Sequence, residues 1–245
     1  MKRLIITFIT IFSLSFSGIS QIESGEITYG IIRVFENTSE DNFQPVEYKN
    51  LKEKIESIVP RLEFVLKFNK TNSIFELKKG LAIDETELYT KAAIRIVRGD
   101  KQIYSNVKDK SVYEAVSFAG KNFLIQSSFE DLKWILTKES KKIGNYICYK
   151  ATSFDDIVDH LNEKRRFNYT VWYCPSIPFN FGPYQYLGLP GLVLEFNNNK
   201  FVYTATQITL KNEKINIQIP KSESSIVTKD EYNKILKNAF EAKGF

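Results

Sequence analysis

The stretch GLVLEFNNNKFVYTATQI, residues 191–208, decides the fold class. Two apolar runs, Gly191–Phe196 and Lys200–Ile208, flank Asn197, Asn198 and Asn199. Asparagine tolerates the left-handed backbone that a tight turn between antiparallel strands demands, so this stretch reads as a β-hairpin. Outward from it, short apolar or alternating runs recur at Leu62–Phe68, Ser73–Leu77, Val112–Phe118, Asn122–Ser127, Lys133–Thr137, Asn145–Phe154 and Phe167–Cys174. Gly99, Asp100, Gly120 and Gly144 separate several of them. Connections this short suit hairpins and cannot hold a crossover helix, so most pairing is expected to be antiparallel.

Near the start, Ile27, Tyr29 and Ile31 alternate with Glu26 and Thr28, the pattern of a half-buried strand. Leu51, Ile55 and Ile58 recur at helical spacing over Glu47–Val59, and Pro60 forbids continuation. Near the end, Ile215, Ile217 and Ile219 alternate with Asn216 and Gln218 and predict a last strand closed by Pro220. Thr228 and Glu231 then form a capping box. Tyr232, Ile235, Leu236, Ala239 and Phe240 make one apolar helical face, which Gly244 can terminate. The expected fold is α+β and mainly β: one large, twisted antiparallel sheet, a meander of hairpins, with an N-terminal and a C-terminal helix packed on it.

Composition agrees with one sizeable core. Apolar residues make up 43% of the 245, with 19 Phe and 13 Tyr, side chains that bury large areas and favour pleated surfaces. Lys2 and Arg3, then an apolar run from Leu4 to Phe16 and small residues at Ser17, Gly18 and Ser20, form a signal-peptide pattern with an expected cut before Gln21. That run is shorter than the roughly 20 apolar residues of a permanent span, and no later segment approaches that length. Residues 1–20 are thus expected to be a leader and 21–245 one exported domain, periplasmic or secreted and not membrane-spanning. Losing Lys2 and Arg3 lowers the formal charge from +5 to about +3. The basic residues are scattered, apart from short runs such as Lys164–Arg166, which argues against nucleic acid as a partner.

Few residues point to chemistry. His160 is the one histidine, which excludes any multi-histidine metal site and obliges any histidine-dependent hydrolysis to use it. Its neighbours Asp155, Asp156 and Asp159 lack the ligand spacing of a calcium loop, so neither a metal nor another cofactor is expected. Cys148 and Cys174 lie on the runs either side of this polar segment. A symmetric hairpin register sets Cys148 opposite Tyr173, one position from Cys174, so a small bulge or register shift would bring the sulfurs together. In an oxidising compartment a disulfide is expected, with two separate buried cysteines as the rival.

The most unusual segment runs Trp172-Tyr173-Cys174-Pro175-Ser176-Ile177-Pro178, then Gly182-Pro183-Tyr184, then Gly188-Leu189-Pro190-Gly191-Leu192-Val193-Leu194. It resembles the GLPGLI proteins, exported proteins of Bacteroidota-type bacteria, in which a Trp-Tyr-x-x-x-Ile-Pro element precedes a Gly-Pro turn and the signature. Val193 replaces the final Ile, and the upstream Cys148-Tyr149-Lys150-Ala151 resembles that family's cysteine-containing run. The resemblance implies an exported β-rich protein and brings no reaction, cofactor or catalytic residue with it.

The prolines and glycines of this segment make a rigid crossing between two strands, interleaved with aromatic rings. The rings either cap the end of the core or form a recognition surface, for which Trp172, Phe179, Phe181, Tyr184 and Tyr186 are the candidate residues. The leading expectation is a non-enzymatic envelope protein that binds a partner protein or an apolar ligand or lipid. The alternative is a hydrolase using Glu195 or the Asp155–Asp159 carboxylates with His160.

Overall fold

A computed structural model describes residues 22–33, 46–80, 84, 87–128, 130, 132–158, 164–221 and 224–241. The strands, in chain order, are β1 (Ser24–Arg33), β2 (Glu63–Asn69), β3 (Asn72–Leu77), β4 (Gln102–Asn106), β5 (Ser111–Phe118) and β6 (Lys121–Ser128). They continue with β7 (Ile135–Ile143), β8 (Tyr146–Val158), β9 (Lys164–Cys174), β10 (Leu192–Asn197), β11 (Phe201–Lys211) and β12 (Ser225–Thr228). All join one open sheet in the order β12-β6-β5-β4-β3-β2-β1-β11-β10-β9-β8-β7. The meander of antiparallel hairpins is present, with one exception: β12 runs parallel to β6.

The Asn197–Asn199 hairpin forms as its residues dictate. Asn199 takes φ 69°, and the Asn197 side-chain oxygen accepts from the Asn199 amide at 2.7 Å. Two helices and a loop cover one face of the sheet. Helix α1 (Val46–Ile58) ends in a single 3₁₀ turn, Val59–Arg61, at Pro60. Helix α2 (Leu88–Ile96) has no counterpart in the sequence reading; the Glu87 carboxylate caps it, accepting from the Thr90 amide at 2.8 Å. The third cover is the 175–191 loop. Val59, Ala93 and Val97 from the helical segments share one buried cluster with Ile177, Phe181 and Leu189 of that loop.

On the opposite face, residues 212–221 cross the sheet as a strap without strand pairing. This corrects the strand expected over Ile215–Ile219. Its carbonyls are taken by side-chain amides, Asn69 donating to Ile215 O at 2.9 Å and Asn72 to Ile217 O at 3.1 Å. Alternation survives because the strap still turns Ile217 inward, and Ile219 packs on the second small cluster of Tyr104, Tyr113 and Leu124. Helix α3 (Lys229–Glu241) sits at the far edge, where Tyr232 meets Phe123 with ring centroids 5.5 Å apart. Its capping box is formed: the Glu231 carboxylate accepts from the Thr228 amide at 2.7 Å, and the Thr228 hydroxyl accepts from the Glu231 amide at 3.2 Å.

Candidate functional site beside the edge strand

The 175–191 loop is a lid on the core. Phe181 and Tyr184 are 1% and 4% exposed, and Phe179 and Tyr186 are 5% each, so these four rings do not form the recognition surface expected of them. Phe179 packs on Phe68 at 4.7 Å between centroids, Tyr184 on Phe75 at 4.7 Å and Tyr186 on Phe196 at 3.9 Å. The sequence carried a signal for this: residues 175–194 contain no charged side chain. An exposed loop of that length without a charge is unusual, whereas a buried one must avoid them.

Main-chain bonds fix the lid to the sheet. Val193 donates to Phe181 O at 2.9 Å and Leu192 to Ile177 O at 3.0 Å, while the Tyr29 hydroxyl donates to Val193 O at 2.6 Å. The Tyr184 hydroxyl donates to Val97 O at 2.6 Å and lies 3.0 Å from the Tyr203 hydroxyl, tying the lid to the end of α2. Burial raises the pKa of the Tyr184 phenol well above its usual value, with the neighbouring Tyr203 adding to the effect. Burial likewise pushes the Tyr203 phenol up to about 12. These phenols are structural anchors, uncharged at any working pH.

Trp172 stands apart from the other candidates. It pairs in register with Lys150 and Glu195, on the face away from the lid. The Lys141 ammonium lies 4.5 Å over its ring and 2.6 Å from a Glu195 oxygen. The Thr204 hydroxyl donates to the other Glu195 oxygen at 3.3 Å, so this carboxylate is engaged. Asp155 is five positions beyond Lys150 on β8, about 16 Å along the strand and on the opposite face. Asp156 is held by Arg166 through two bonds of 2.7 and 2.8 Å. The candidate carboxylates of the described residues therefore do not converge; Asp159 and His160 lie outside the described residues. No group of three or more His, Cys, Asp or Glu side chains placed to hold a metal occurs among the described residues.

The cysteines come together through a register shift but do not form the expected disulfide. Tyr149 pairs with Tyr173, so the next position outward sets Cys148 beside Cys174, one step from the register read off the sequence. Both thiols are free and fully buried rather than bridged. Cys174 Sγ lies 3.0 Å from the Ser176 hydroxyl and Cys148 Sγ donates to Tyr146 O at 3.9 Å, while the two thiols also interact with each other. Burial, helped by Cys174, pushes the Cys148 thiol up to about 12. Because both side chains are fully buried, the native protein should react with a thiol-alkylating reagent far more slowly than the unfolded chain. The unfolded, unreduced chain should titrate as two thiols, and a count of zero would restore the bridge.

The outer side of the lid carries the feature that remains. Leu187, Gly188, Leu189 and Pro190 form one wall of a groove of about 370 Å³, and Glu130, Leu132, Trp134 and Leu136 form the other. The Trp134 indole donates to Leu187 O at 2.9 Å, which fixes the two walls together. Beyond it the surface stays apolar. Leu136 pairs with Ala151, and Ile147 and Tyr149 share that side of β8, being 53% and 39% exposed. Five of the ten large apolar side chains exposed among the described residues lie on β7 and β8; Leu136, Ile147 and Tyr149 share the face of the groove, whereas Ile135 and Phe154 lie on the other face. A larger groove of about 790 Å³ near α3 is lined by Arg95, Asp100, Gln102, Asn122 and Tyr232. Several of its polar groups are satisfied internally: Asn122 accepts from Ser117 at 2.8 Å, and Gln102 donates to Glu76 at 2.6 Å.

A family model described as "Protein of unknown function (Porph_ging)" matches residues 158–195, the stretch that leads through β9 and the lid into β10. No curated protein matches the chain. Among solved structures it is similar to PNGF-II in two crystal forms. The C2 form gives 16% identity and a TM-score of 0.53 over 86% of this chain, and the P21 form 17% and 0.51 over 86%. The chain spans 32% of the length of PNGF-II in each. At such identity the likeness concerns the fold alone.

Proposed function

We propose that this is an exported, non-enzymatic binding protein of the cell envelope, and that it docks a partner protein or an apolar ligand in the groove between the lid and β7. The observation that carries the reading is the exposure of Leu136, Ile147 and Tyr149 on one face of β7 and β8 beside a rigid wall, Leu187–Pro190, within the segment that matches the family model. Lone surface apolar residues are ordinary; a cluster around a preformed groove marks an interaction site. The occurrence of the fold as about a third of a longer chain in PNGF-II supports a module that works beside other polypeptide. Lys2, Arg3 and the Leu4–Phe16 run support export to the periplasm or beyond. The hydrolase alternative gains nothing from Glu195 and Asp156, whose charges are spent on Lys141 and Arg166.

Native mass spectrometry of protein purified from its own envelope tests the proposal. The parent should carry a retained lipid or polypeptide, and Leu136→Asp should lose it while its unfolding free energy changes by no more than about 0.5 kcal/mol, the range of a surface substitution. A bare chain in the parent sample would remove the reading.

A further inference from the structure

Resting on that reading of the groove, we infer that its occupant is an extended, acidic segment of a partner protein that adds to the sheet along β7. Strand β7 is the end of the sheet and, among the described residues, pairs only with β8. Its outer backbone N–H and C=O groups face away from every other strand, a template for one more. The groove continues into this edge, because Leu136 is both its lining residue and a member of β7.

Shape argues against an enclosed small molecule. Among the described residues the walls come from Glu130, Leu132, Trp134 and Leu136 on one side and Leu187–Pro190 on the other, so the groove is open along the strand direction. A pocket that retains a lipid or a drug-sized ligand buries most of its surface on all sides. An extended chain needs no such enclosure: it can place one or two apolar side chains in the groove and continue along the edge.

Charge selects the partner. Along β7 the apolar pair Ile135 and Leu136 is followed by Lys138, Lys141 and Lys142. Lys141 is neutralised by Glu195, and Glu139 is taken by Lys150. Lys138 and Lys142 are exposed and have no ion pair among the described residues. Edge lysines, and the register irregularity between Leu136 and Ser140, are devices that protect a sheet edge from others of its kind. Two copies of β7 would bring four unpaired ammonium groups together. An acidic strand meets no such repulsion and gains from the same two charges.

Fluorescence anisotropy with labelled synthetic peptides tests this. One probe alternates Glu with Val and Leu; a second has Lys at each Glu position; a third is the acidic peptide N-methylated at alternate residues, which removes the donors of one edge. The acidic probe should bind at least about tenfold more tightly than the basic one and weaken as salt rises. N-methylation should abolish binding, and amide exchange over Ile135–Ile143 should slow in the complex. Lys138→Glu combined with Lys142→Glu, both exposed, should invert the preference. Equal binding of the N-methylated probe, an unchanged preference in the double variant, or no binding of the acidic probe overturns the inference. Titration with 1-anilinonaphthalene-8-sulfonate separates that failure from failure of the site itself. Dye that binds the parent and is lost in Leu136→Asp leaves an apolar groove without strand addition. Dye that binds neither protein removes the groove and the inference together.

Discussion

Gly191→Ala should cost about 4 kcal/mol or more of stability, in the range reserved for a clash with fixed backbone in a strained conformation. A β-carbon at this position would sit 2.3 Å from Cys174 O, 2.5 Å from Cys174 C and 2.8 Å from the Pro175 nitrogen. All three are main-chain atoms of the adjoining lid entry, so no side chain can swing aside to relieve the contact. The φ of +151° adds a second penalty, because L-residues rarely adopt it. Gly120→Ala is the matching control. Its φ is +75° and nothing lies within 4 Å of the added carbon, so only the conformational term remains, about 1 kcal/mol. Chemical denaturation of the two variants should separate them clearly. Similar midpoints would mean that the lid entry yields, and that the lid is not anchored at Gly191.

Tyr184→Ala should lose about 3 to 5 kcal/mol, the cost of emptying a buried aromatic site. The ring is 4% exposed and contacts Phe64, Phe75, Phe196 and Tyr203. Its backbone sits at φ 53°, a region unfavourable for a bulky side chain, and the packing and the hydroxyl bond to Val97 O hold it there. Tyr184→Phe keeps the ring and removes only the hydroxyl. The Tyr203 hydroxyl, 3.3 Å from the same carbonyl, can take over the bond, so this variant should lose about 1 kcal/mol. Thermal melts of the pair decide the matter. A near-native Ala variant would return Tyr184 to the surface role for which the sequence nominated it.

What the sequence made legible was local. Asn197–Asn199, Pro60 and the Thr228–Glu231 pair each act within a few residues, and each formed the turn, stop or cap that its chemistry specifies. Helix α2 escaped because it is nine residues long and its start is marked only by Glu87. The Ile215–Ile219 alternation was genuine, yet its backbone partners are the side chains of Asn69 and Asn72, distant in sequence and invisible to any periodicity. The same limit governed the site. Glycine and proline spacing shows that the 175–191 loop is stiff but not which way its rings turn, and the absence of charge over 175–194 was the available clue. The groove itself joins residues 130–136 to 187–190, a juxtaposition set by the lid and the β7–β9 pairing together.

The placement of β1 has a consequence for how the molecule comes to exist. Strands β2 to β6 each lie beside their neighbours in sequence, as do β7 to β11, whereas strand pairing joins the two runs where β1 pairs with β11, Ser24 opposite Lys211. Each run can assemble from nearby contacts, but the seam between them waits for a closure spanning most of the chain. During synthesis β1 is among the first strands made, and it keeps one flank unsatisfied, with Ile27 and Tyr29 lacking half their cover, until Phe201–Lys211 has emerged. Folding is thus committed late, and the interval before the seam closes is when this chain is most open to mispairing or to a chaperone.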